Sequence, residues 1–313
     1  GALGSSTGTS AAAKAGFGIS FSRAFNGWRD SVQRSVGALQ PPLPGWRELT
    51  GRGYAVQSPR WLNDSTVVYS GTDGREVDAA YAVTLNGARN RLGRRDGSGA
   101  NVRLADGSLL YAQLEFTGRS EIRSDLYRSR DGQVTRLTHG ARLIQPDARR
   151  DGTIAAAQLA AARSSLVLLT GEGRLQRVLR AAGPDETWSE PRWSPDGSRL
   201  AAVHRAHGGE FSIVAIDLAT DATRVLSASR AVIGSPSWAP NGGSILYTSE
   251  ESGVPTLERV TAIGVPVVTT LATDQTGTGV LDPELGPQGR EVAAVSLRAD
   301  GYRLGDAPTA SLA

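Results

Sequence analysis

Short apolar runs separated by turn residues recur along most of this chain. The phrase EPRWSPDGSRLAAV at Glu190–Val203 returns in altered form as SPSWAPNGGSILYT at Ser235–Thr248. In both copies an extended stretch ends in Trp, and a Pro-Asp-Gly or Pro-Asn-Gly turn leads into an apolar run. Pro presets φ and Gly takes the left-handed position of such a turn. Each copy therefore predicts a β-hairpin, and the continuously apolar second strand predicts that both of its faces are covered.

The same phrase can be followed through six copies. The turn glycines Gly107, Gly152, Gly197, Gly242 and Gly289 are 45, 45, 45 and 47 residues apart, and an earlier copy has Ser65 at the glycine position. A third and a fourth predicted strand follow each hairpin. In the second copy these strands are DLYRSR and VTRLTH. Four strands per repeat, with no helix between repeats, are typical of a β-propeller. We predict an all-β, six-bladed propeller of four-stranded blades.

The position before each turn, here called the Trp position, is less regular than the turn itself. It holds, in chain order, Trp61, Arg103, Ala148, Trp193, Trp238 and Leu285. The last copy, after Val280, is too short to supply its own outer strand. The segment GWRELTGRGYAV contains the Leu49-Thr50 pair typical of an outer strand, so we expect it to complete the last blade and close the ring.

The first 45 residues have a different pattern, which places a domain boundary before residue 46. The small and polar residues of Gly1–Gly16 predict a loose segment. Next, Phe21, Phe25, Trp28, Val32 and Val36 recur at helical spacing, with Asp30 and Arg34 four residues apart. This predicts one amphipathic helix ending at Pro41-Pro42, followed by a propeller over residues 46–313.

Composition narrows the range of functions. Hydrophobic residues make up 39% of the chain, and the net charge is only +3. Lys14 is the only lysine, and the arginines are spread along the chain, so clusters such as Arg149-Arg150 predict solvated loops and no nucleic-acid site. The absence of cysteine excludes disulfides and Cys-based zinc sites. No apolar run approaches the ~18 residues of a membrane span.

Catalytic motifs are weak. Gly4–Gly8 fits G-x-S-x-G, but no apolar strand precedes Ser6 as a nucleophile elbow requires. His204 and His207 are three residues apart, a spacing that points their side chains to opposite faces of a strand. They therefore do not form a metal-binding pair, and we expect a solvated loop there. His139 ends an outer strand, and no phosphate-binding glycine loop is present. We therefore predict no catalytic residue, metal ligand or cofactor in this chain.

A propeller usually binds ligands where its innermost strands converge on the central channel. The residues just before each Trp position enter those strands, and opposite charges from different blades would meet there. A water-filled channel of mutually neutralised charges is the alternative. The candidate binding residues are Gln57, Arg60, Gln145, Asp147, Glu190, Arg192, Ser237, Asp282 and Glu284.

The phrase PRWSPDGSRLAAV resembles the TolB-like, WD-type propeller repeat. The resemblance spans about Trp46 to Leu304, strongest at Trp193 and Trp238 and degenerate where the Trp position holds Arg103, Ala148 or Leu285. It implies a non-catalytic module that binds protein or peptide, or acts as a scaffold, in a bacterial envelope or secreted protein. The implied location is periplasmic or extracellular.

The helix preceding the propeller suggests an alternative. Its spacing, Ser20-Phe21, Ala24-Phe25, Trp28 and Ser31, resembles the helix that closes a gluzincin-type metallopeptidase domain before a TolB-like propeller. Such peptidases use H-E-x-x-H to bind zinc, and no histidine here fits that motif. This resemblance implies an accessory propeller whose catalytic domain lies upstream of Gly1. A glycan-binding propeller is a third possibility.

Overall fold

A computed structural model describes residues 8–36, 42–51, 53–95, 99–272, 279–298 and 300–312. The chain divides into two compact units, one containing two helices and the other containing every strand. No helix among these residues is both long enough and apolar enough to cross a membrane. The G-x-S-x-G motif around Ser6 lies outside the described residues.

The helical unit contains α1 (Thr9–Phe17) and α2 (Phe21–Val36). The second confirms the amphipathic helix; Phe21 stacks on Phe25, and the Phe25 and Trp28 ring centroids are 5.6 Å apart. Arg34 does not pair with the Asp30 carboxylate but donates to the Asp30 carbonyl at 3.1 Å. The first helix differs from the expected loose segment. Its alanines and Lys14 are strong helix formers, and Gly18 ends it with φ of 73°.

The strand unit consists of six four-stranded antiparallel meanders, called blades 1 to 6. Blade 1 contains β2 (Ala55–Asn63), β3 (Thr66–Thr72), β4 (Ala79–Thr84) and β5 (Arg89–Arg94). Blade 2 contains β6 (Val102–Arg103), β7 (Leu109–Phe116), β8 (Ile122–Arg130) and β9 (Gln133–Arg136). Blade 3 contains β10 (Leu143–Ala148), β11 (Ile154–Ala160), β12 (Arg163–Leu169) and β13 (Leu175–Arg180).

The remaining blades repeat this order. Blade 4 contains β14 (Thr187–Trp193), β15 (Arg199–Arg205), β16 (Phe211–Asp217) and β17 (Thr223–Ser229). Blade 5 contains β18 (Ile233–Trp238), β19 (Ser244–Ser249), β20 (Thr256–Thr261) and β21 (Val268–Ala272). Blade 6 contains β22 (Val280–Leu285), β23 (Glu291–Arg298) and β24 (Gly301–Pro308), joined by β1 (Arg47–Glu48), and a 3-10 helix follows at Thr309–Leu312. One parallel pair, Ser164 with Thr187, also links blade 3 to blade 4.

Blade 6 takes its outer strand from the beginning of the strand unit, as the sequence predicts. Arg47 and Glu48 of β1 pair antiparallel with Asp306 and Gly305 of β24. The Thr50 hydroxyl accepts the Leu304 amide at 2.9 Å, and Arg47 forms an ion pair with the buried Asp306 at 2.6 Å. The first and last parts of the strand unit are thus joined within one sheet, which removes two exposed edges.

The repeated turn has the predicted backbone. The five turn glycines Gly107, Gly152, Gly197, Gly242 and Gly289 all have positive φ, between 66° and 89°. Each donates its amide to the carbonyl three residues earlier, as Gly197 does to Ser194 at 2.8 Å. Only glycine adopts this conformation without steric cost, so the recurring glycine follows from the turn geometry.

Neighbouring blades pack through buried aliphatic side chains and through the Trp residues that precede these turns. The Trp238 indole donates to the Arg192 carbonyl of blade 4 at 2.9 Å. The Trp61 indole donates in the same way to the Glu284 carbonyl, which brings blade 1 against blade 6. The second strands are buried, with Ala155, Ala201 and Ala202 fully inaccessible. The all-β propeller prediction is confirmed.

Candidate functional site

The innermost strands of all six blades meet at one cavity of about 80 Å³. The residue three before the Trp position in each blade lines this cavity. We call these six residues the mouth layer: Ser58, Ala100, Gln145, Glu190, Ser235 and Asp282. The residues one before the Trp position form a second set, which we call the inner layer: Arg60, Val102, Asp147, Arg192, Ser237 and Glu284.

Five of the six mouth-layer residues have a left-handed backbone although none is glycine. The φ angles of Ser58, Gln145, Glu190, Ser235 and Asp282 lie between 49° and 54°. A proline follows each of them, and residues before proline normally adopt extended conformations. The pairing register of every one of these strands shifts at this point. Such bulges redirect side chains, and here they occur around a single cavity.

Side chains of the mouth layer hold this backbone by hydrogen bonds from blade to blade. Gln145 Oε1 accepts the Glu190 amide at 3.1 Å, and Glu190 Oε2 accepts the Ser235 amide at 2.5 Å. Ser235 Oγ donates to Asp282 Oδ1 at 2.6 Å, and Asp282 Oδ2 accepts the Ser58 amide at 3.0 Å. The chain of bonds stops at blade 2, where Ala100 has no polar side chain. The mouth layer is therefore preorganised on five of its six sides.

The inner layer is a network of alternating charges. Arg192 Nη2 donates to both carboxylate oxygens of Glu284 at 2.8 Å, and Arg60 Nη1 contacts Glu284 at 3.4 Å. Arg192 Nε lies 3.8 Å from Asp147, which accepts the Trp193 amide at 2.7 Å. Two arginines and two carboxylates thus neutralise one another beneath the mouth layer. Arg60 Nε is buried without a hydrogen-bond partner.

Burial shifts the pKa of three residues in these layers. It raises the pKa of Glu190, opposed by the Ser235 amide and reinforced by the negative charge of Asp282. It also raises the pKa of Asp147, against the attraction of Arg192 and Arg60. Burial lowers the pKa of Arg60, and the neighbouring charge of Arg192 lowers it further. The mouth layer is acidic, because Glu190 and Asp282 are its only charged side chains.

The structure divides the nine predicted residues among three environments. Arg60, Gln145, Glu190, Arg192 and Asp282 line the cavity of about 80 Å³. Asp147 and Glu284, again with Arg60 and Arg192, line a second cavity of about 310 Å³ at the turn end of the strands. Ser237 accepts the Leu285 amide at 3.0 Å, and Gln57 lines neither cavity.

Sequence reasoning missed Ser58, Ser235 and Ala100, which line the first cavity, together with prolines that follow mouth-layer residues. A signal for them exists in the sequence. A dipeptide ending in Pro stands at the same distance before the Trp position in five copies, at Pro59, Pro146, Pro191, Pro236 and Pro283. Repetition of a residue-Pro pair inside a strand is unusual because Pro lacks the ladder donor.

The second cavity differs in charge from the first. Arg103, Arg149 and Arg150 line it in addition to the inner-layer residues. Arg149 lies over the Trp193 ring, 5.0 Å from its centroid, and pairs with Asp151 at 2.5 Å. The two cavities therefore lie on either side of a neutralised inner layer, one with acidic mouth-layer groups and the other with additional arginines.

The histidines lie apart from both cavities. The His204 ring stacks on Trp188 with centroids 4.1 Å apart, so it is half-buried and not in the solvated loop that we expected. Exposed His207 lies 3.6 Å from Asp185. Within the described ranges, no three histidine or acidic side chains are grouped so as to hold a metal ion.

These features define a β-propeller with a polar axial cavity that is lined by residues with a left-handed backbone. Residues 58–278 match the family model of the TolB beta propeller domain, PD40. The chain belongs to this family.

Solved structures share the fold at low sequence identity. TolB from Acinetobacter baumannii is 18% identical, with a TM-score of 0.63 over 83% of this chain and 71% of that one. A putative TolB from Agrobacterium tumefaciens is 21% identical, with a TM-score of 0.58 over 70% and 80%. A gluconolactonase, XC5397 from Xanthomonas campestris, is 18% identical, with a TM-score of 0.59 over 85% and 90%. At such identities the likeness extends to the fold alone.

Proposed function

We propose that this chain is a non-catalytic TolB-like propeller that binds a protein or peptide at the mouth layer. The observation that carries the proposal is the strained backbone of Ser58, Gln145, Glu190, Ser235 and Asp282 around one cavity. Left-handed non-glycine residues cost of order 1–3 kcal/mol each and cluster at functional sites. Five such residues around one cavity are more than ring closure alone requires.

The size and charge of the cavity indicate which part of a partner it accepts. At about 80 Å³ it holds one side-chain end or a chain terminus, so most of the partner would lie outside it. Glu190 and Asp282 supply acceptors for a cationic or donor group, while Ser58 and Ser235 add hydroxyls. Arg60 and Arg192 also line the cavity, but Glu284 and Asp147 lie against them and neutralise their charge. The charge that remains is negative, so an inserted lysine, arginine or amino terminus of a peptide fits this lining best.

Exposed apolar side chains near this end of the strands could contact the rest of a partner. Phe116 and Ile122 pair across the β7–β8 hairpin and are exposed, and Tyr54 and Val77 of blade 1 are exposed as well. Aromatic and aliphatic groups around a polar centre are typical of protein interfaces. These exposed side chains support a protein or peptide partner. We propose that the chain is a module of a bacterial envelope or secreted protein, in the periplasm or outside the cell, because it is a TolB-like propeller.

The test is selection of random peptides displayed on phage against the purified chain. Recovered peptides would be measured by fluorescence polarisation with the wild type, the double variant Glu190→Gln, Asp282→Asn and the control Arg150→Gln. Arg150 lines the second cavity and not the mouth-layer cavity. We expect the double variant to weaken binding about tenfold or more, because charged hydrogen bonds are lost, and the control to bind normally. Equal binding by all three proteins would refute the mouth-layer site.

The alternative, an accessory propeller of a zinc metallopeptidase, rests on α2. Phe21, Phe25 and Trp28 of this helix are exposed, and an apolar helix face of this kind could close an upstream domain. The coding sequence before Gly1 distinguishes the alternatives. An H-E-x-x-H helix there favours the peptidase, whereas a leader peptide or a small α/β domain favours the TolB-like binding protein.

A further inference from the structure

Arg95 is a buried arginine between blades 1 and 2. Only 4% of its surface is exposed. Within the described part of the chain, no carboxylate forms an ion pair with it. Burial lowers its pKa, the Tyr111 phenol opposes that effect and the charge of Arg91 adds to it. An unpaired buried charge is costly, so the position calls for an explanation beyond packing.

Three contacts hold the guanidinium in place. Arg95 Nε donates to Asn101 Oδ1 at 2.7 Å, and Nη1 donates to the Arg94 carbonyl at 2.7 Å. Its Cζ lies 3.5 Å from the centroid of the Tyr111 ring. Asn101 is itself oriented, because its Nδ2 donates to Ser70 Oγ at 2.9 Å. The Nη2 nitrogen is left buried and without a hydrogen-bond partner.

Other arginines of the outer strands show how the fold usually neutralises such a group. Arg136 lies over Tyr127 and pairs with buried Asp125 at 2.6 Å. Arg47 pairs with buried Asp306 at 2.6 Å. Arg95 shares the aromatic contact of Arg136 but lacks a carboxylate. The missing charge could come from a bound anion.

Space for that anion lies beside Arg95. Arg95 and Tyr111 line a groove of about 630 Å³ between blades 1 and 2. Leu109 and Gln113 line it too, and they share a face of β7 with Tyr111 because strand side chains alternate. Arg130 lies at the same groove and contacts Asp106 at 3.5 Å, so that acid already has a basic partner.

We infer that the groove between blades 1 and 2 is a binding site for a small oxyanion, a carboxylate or phosphate group, held by the Arg95 guanidinium. Arg95 Nη2 is the guanidinium nitrogen without a protein partner, and a charge-assisted hydrogen bond from it to an oxyanion would supply that partner. Tyr111 and Leu109 would pack against the apolar part of an organic acid, and the Gln113 amide could donate to it. The site is separate from the axial cavity and independent of the proposed function.

The test measures the rise in melting temperature with added sodium phosphate and sodium succinate, against sodium chloride of equal ionic strength. A ligand that binds only the folded state stabilises it by RT ln(1 + [L]/Kd), so the melting temperature rises with ligand concentration. The two anions distinguish an inorganic phosphate site from an organic acid site. We expect at least one anion to stabilise the wild type beyond the chloride control, and titration calorimetry should give its dissociation constant.

Variants separate a ligand site from a structural arginine. Arg95→Gln should bind the anion about tenfold more weakly or not at all, yet fold without loss of stability, because a buried unpaired charge has been removed. Arg130→Gln is the matched control at the same groove and should bind normally. If Arg95→Gln fails to fold, Leu109→Glu places a carboxylate in the groove and should abolish anion stabilisation with Arg95 intact. Stabilisation by neither anion, or equal stabilisation in the Arg95 or Leu109 variants, would overturn the inference.

Discussion

Arg192 and Glu284 join blade 4 to blade 6, two blades that are not consecutive along the chain. One guanidinium nitrogen donates to both carboxylate oxygens at 2.8 Å, and the two side chains are only 12% and 10% exposed. Glu284 also contacts Arg60, so a single carboxylate serves two arginines from different blades. This residue is the centre of the inner layer.

Replacing Glu284 with Gln should lower the free energy of unfolding by about 3–5 kcal/mol, because the change leaves two buried arginines with one remaining acid. Urea denaturation at neutral pH measures the loss. Glu48→Gln is the matched control, since Glu48 also contacts two arginines but is 43% exposed. We expect the control to cost about 1 kcal/mol or less, and similar losses in both variants would contradict this assignment.

Glu190 makes stability depend on pH. Its folded-state pKa is raised by burial, so its favourable contribution is present at low pH and is lost as the pH rises through the folded-state value. Glu190→Gln removes this loss and keeps an acceptor for the Ser235 amide. The melting temperature of the variant relative to wild type should therefore increase from pH 4 to pH 8.

The control for this pH series is Glu210→Gln, which changes an exposed acid of the same blade. Its melting temperature should follow that of the wild type across the range. A difference between Glu190→Gln and wild type that stays constant or decreases as pH rises would show that burial of this carboxyl group has no energetic effect.

Ring closure can be tested at Thr50. Its hydroxyl accepts the Leu304 amide, and in blade 2 the Thr138 hydroxyl accepts the Leu126 amide at 3.0 Å in the same way. Thr50→Val and Thr138→Val should each cost about 1–3 kcal/mol because a buried donor loses its partner. Only Thr50→Val should speed amide hydrogen exchange in β24. Faster exchange there in both variants, or in neither, would argue against a closure role for Thr50.

The turn glycines should differ in their tolerance of a side chain. Gly107 has φ of 83° and open space around it, so Gly107→Ala should cost about 1–2 kcal/mol from backbone strain alone. At Gly197 an added Cβ would lie 2.6 Å from Arg149 Cδ. Gly197→Ala must also displace Arg149 from Trp193, and it should lower the melting temperature more than Gly107→Ala does. Equal shifts would indicate that Arg149 moves freely.

The propeller architecture could be predicted from the sequence because each blade repeats the same turn residues. The glycine of each turn and the Leu49-Thr50 pair of the closing strand predicted the hairpins and the closure before any coordinates. The α1 helix was missed because Gly and Ser around it suggested disorder, whereas Ala11, Ala12 and Ala13 with Lys14 favour a helix.

The site residues could be predicted only in part, for a different reason. Counting back from the Trp position found Gln145, Glu190 and Asp282 but did not anticipate a bulge in the innermost strand. The bulge before each proline changes which residues face the axis, and it brings Ser58 to the cavity in place of Gln57. The buried position of Arg95 could not be predicted either, because it depends on packing between two blades.

Ala100 makes one side of the mouth layer less polar than the others, which would fix the orientation of a bound ligand. Six similar blades around one axis would offer a ligand six equivalent ways to sit, with no preference among them. A methyl group at Ala100, where the other blades present oxygen atoms, removes that rotational degeneracy. A ligand that needs acceptors on most sides and an apolar contact on one would then bind in a single pose, facing blade 2 with its least polar side.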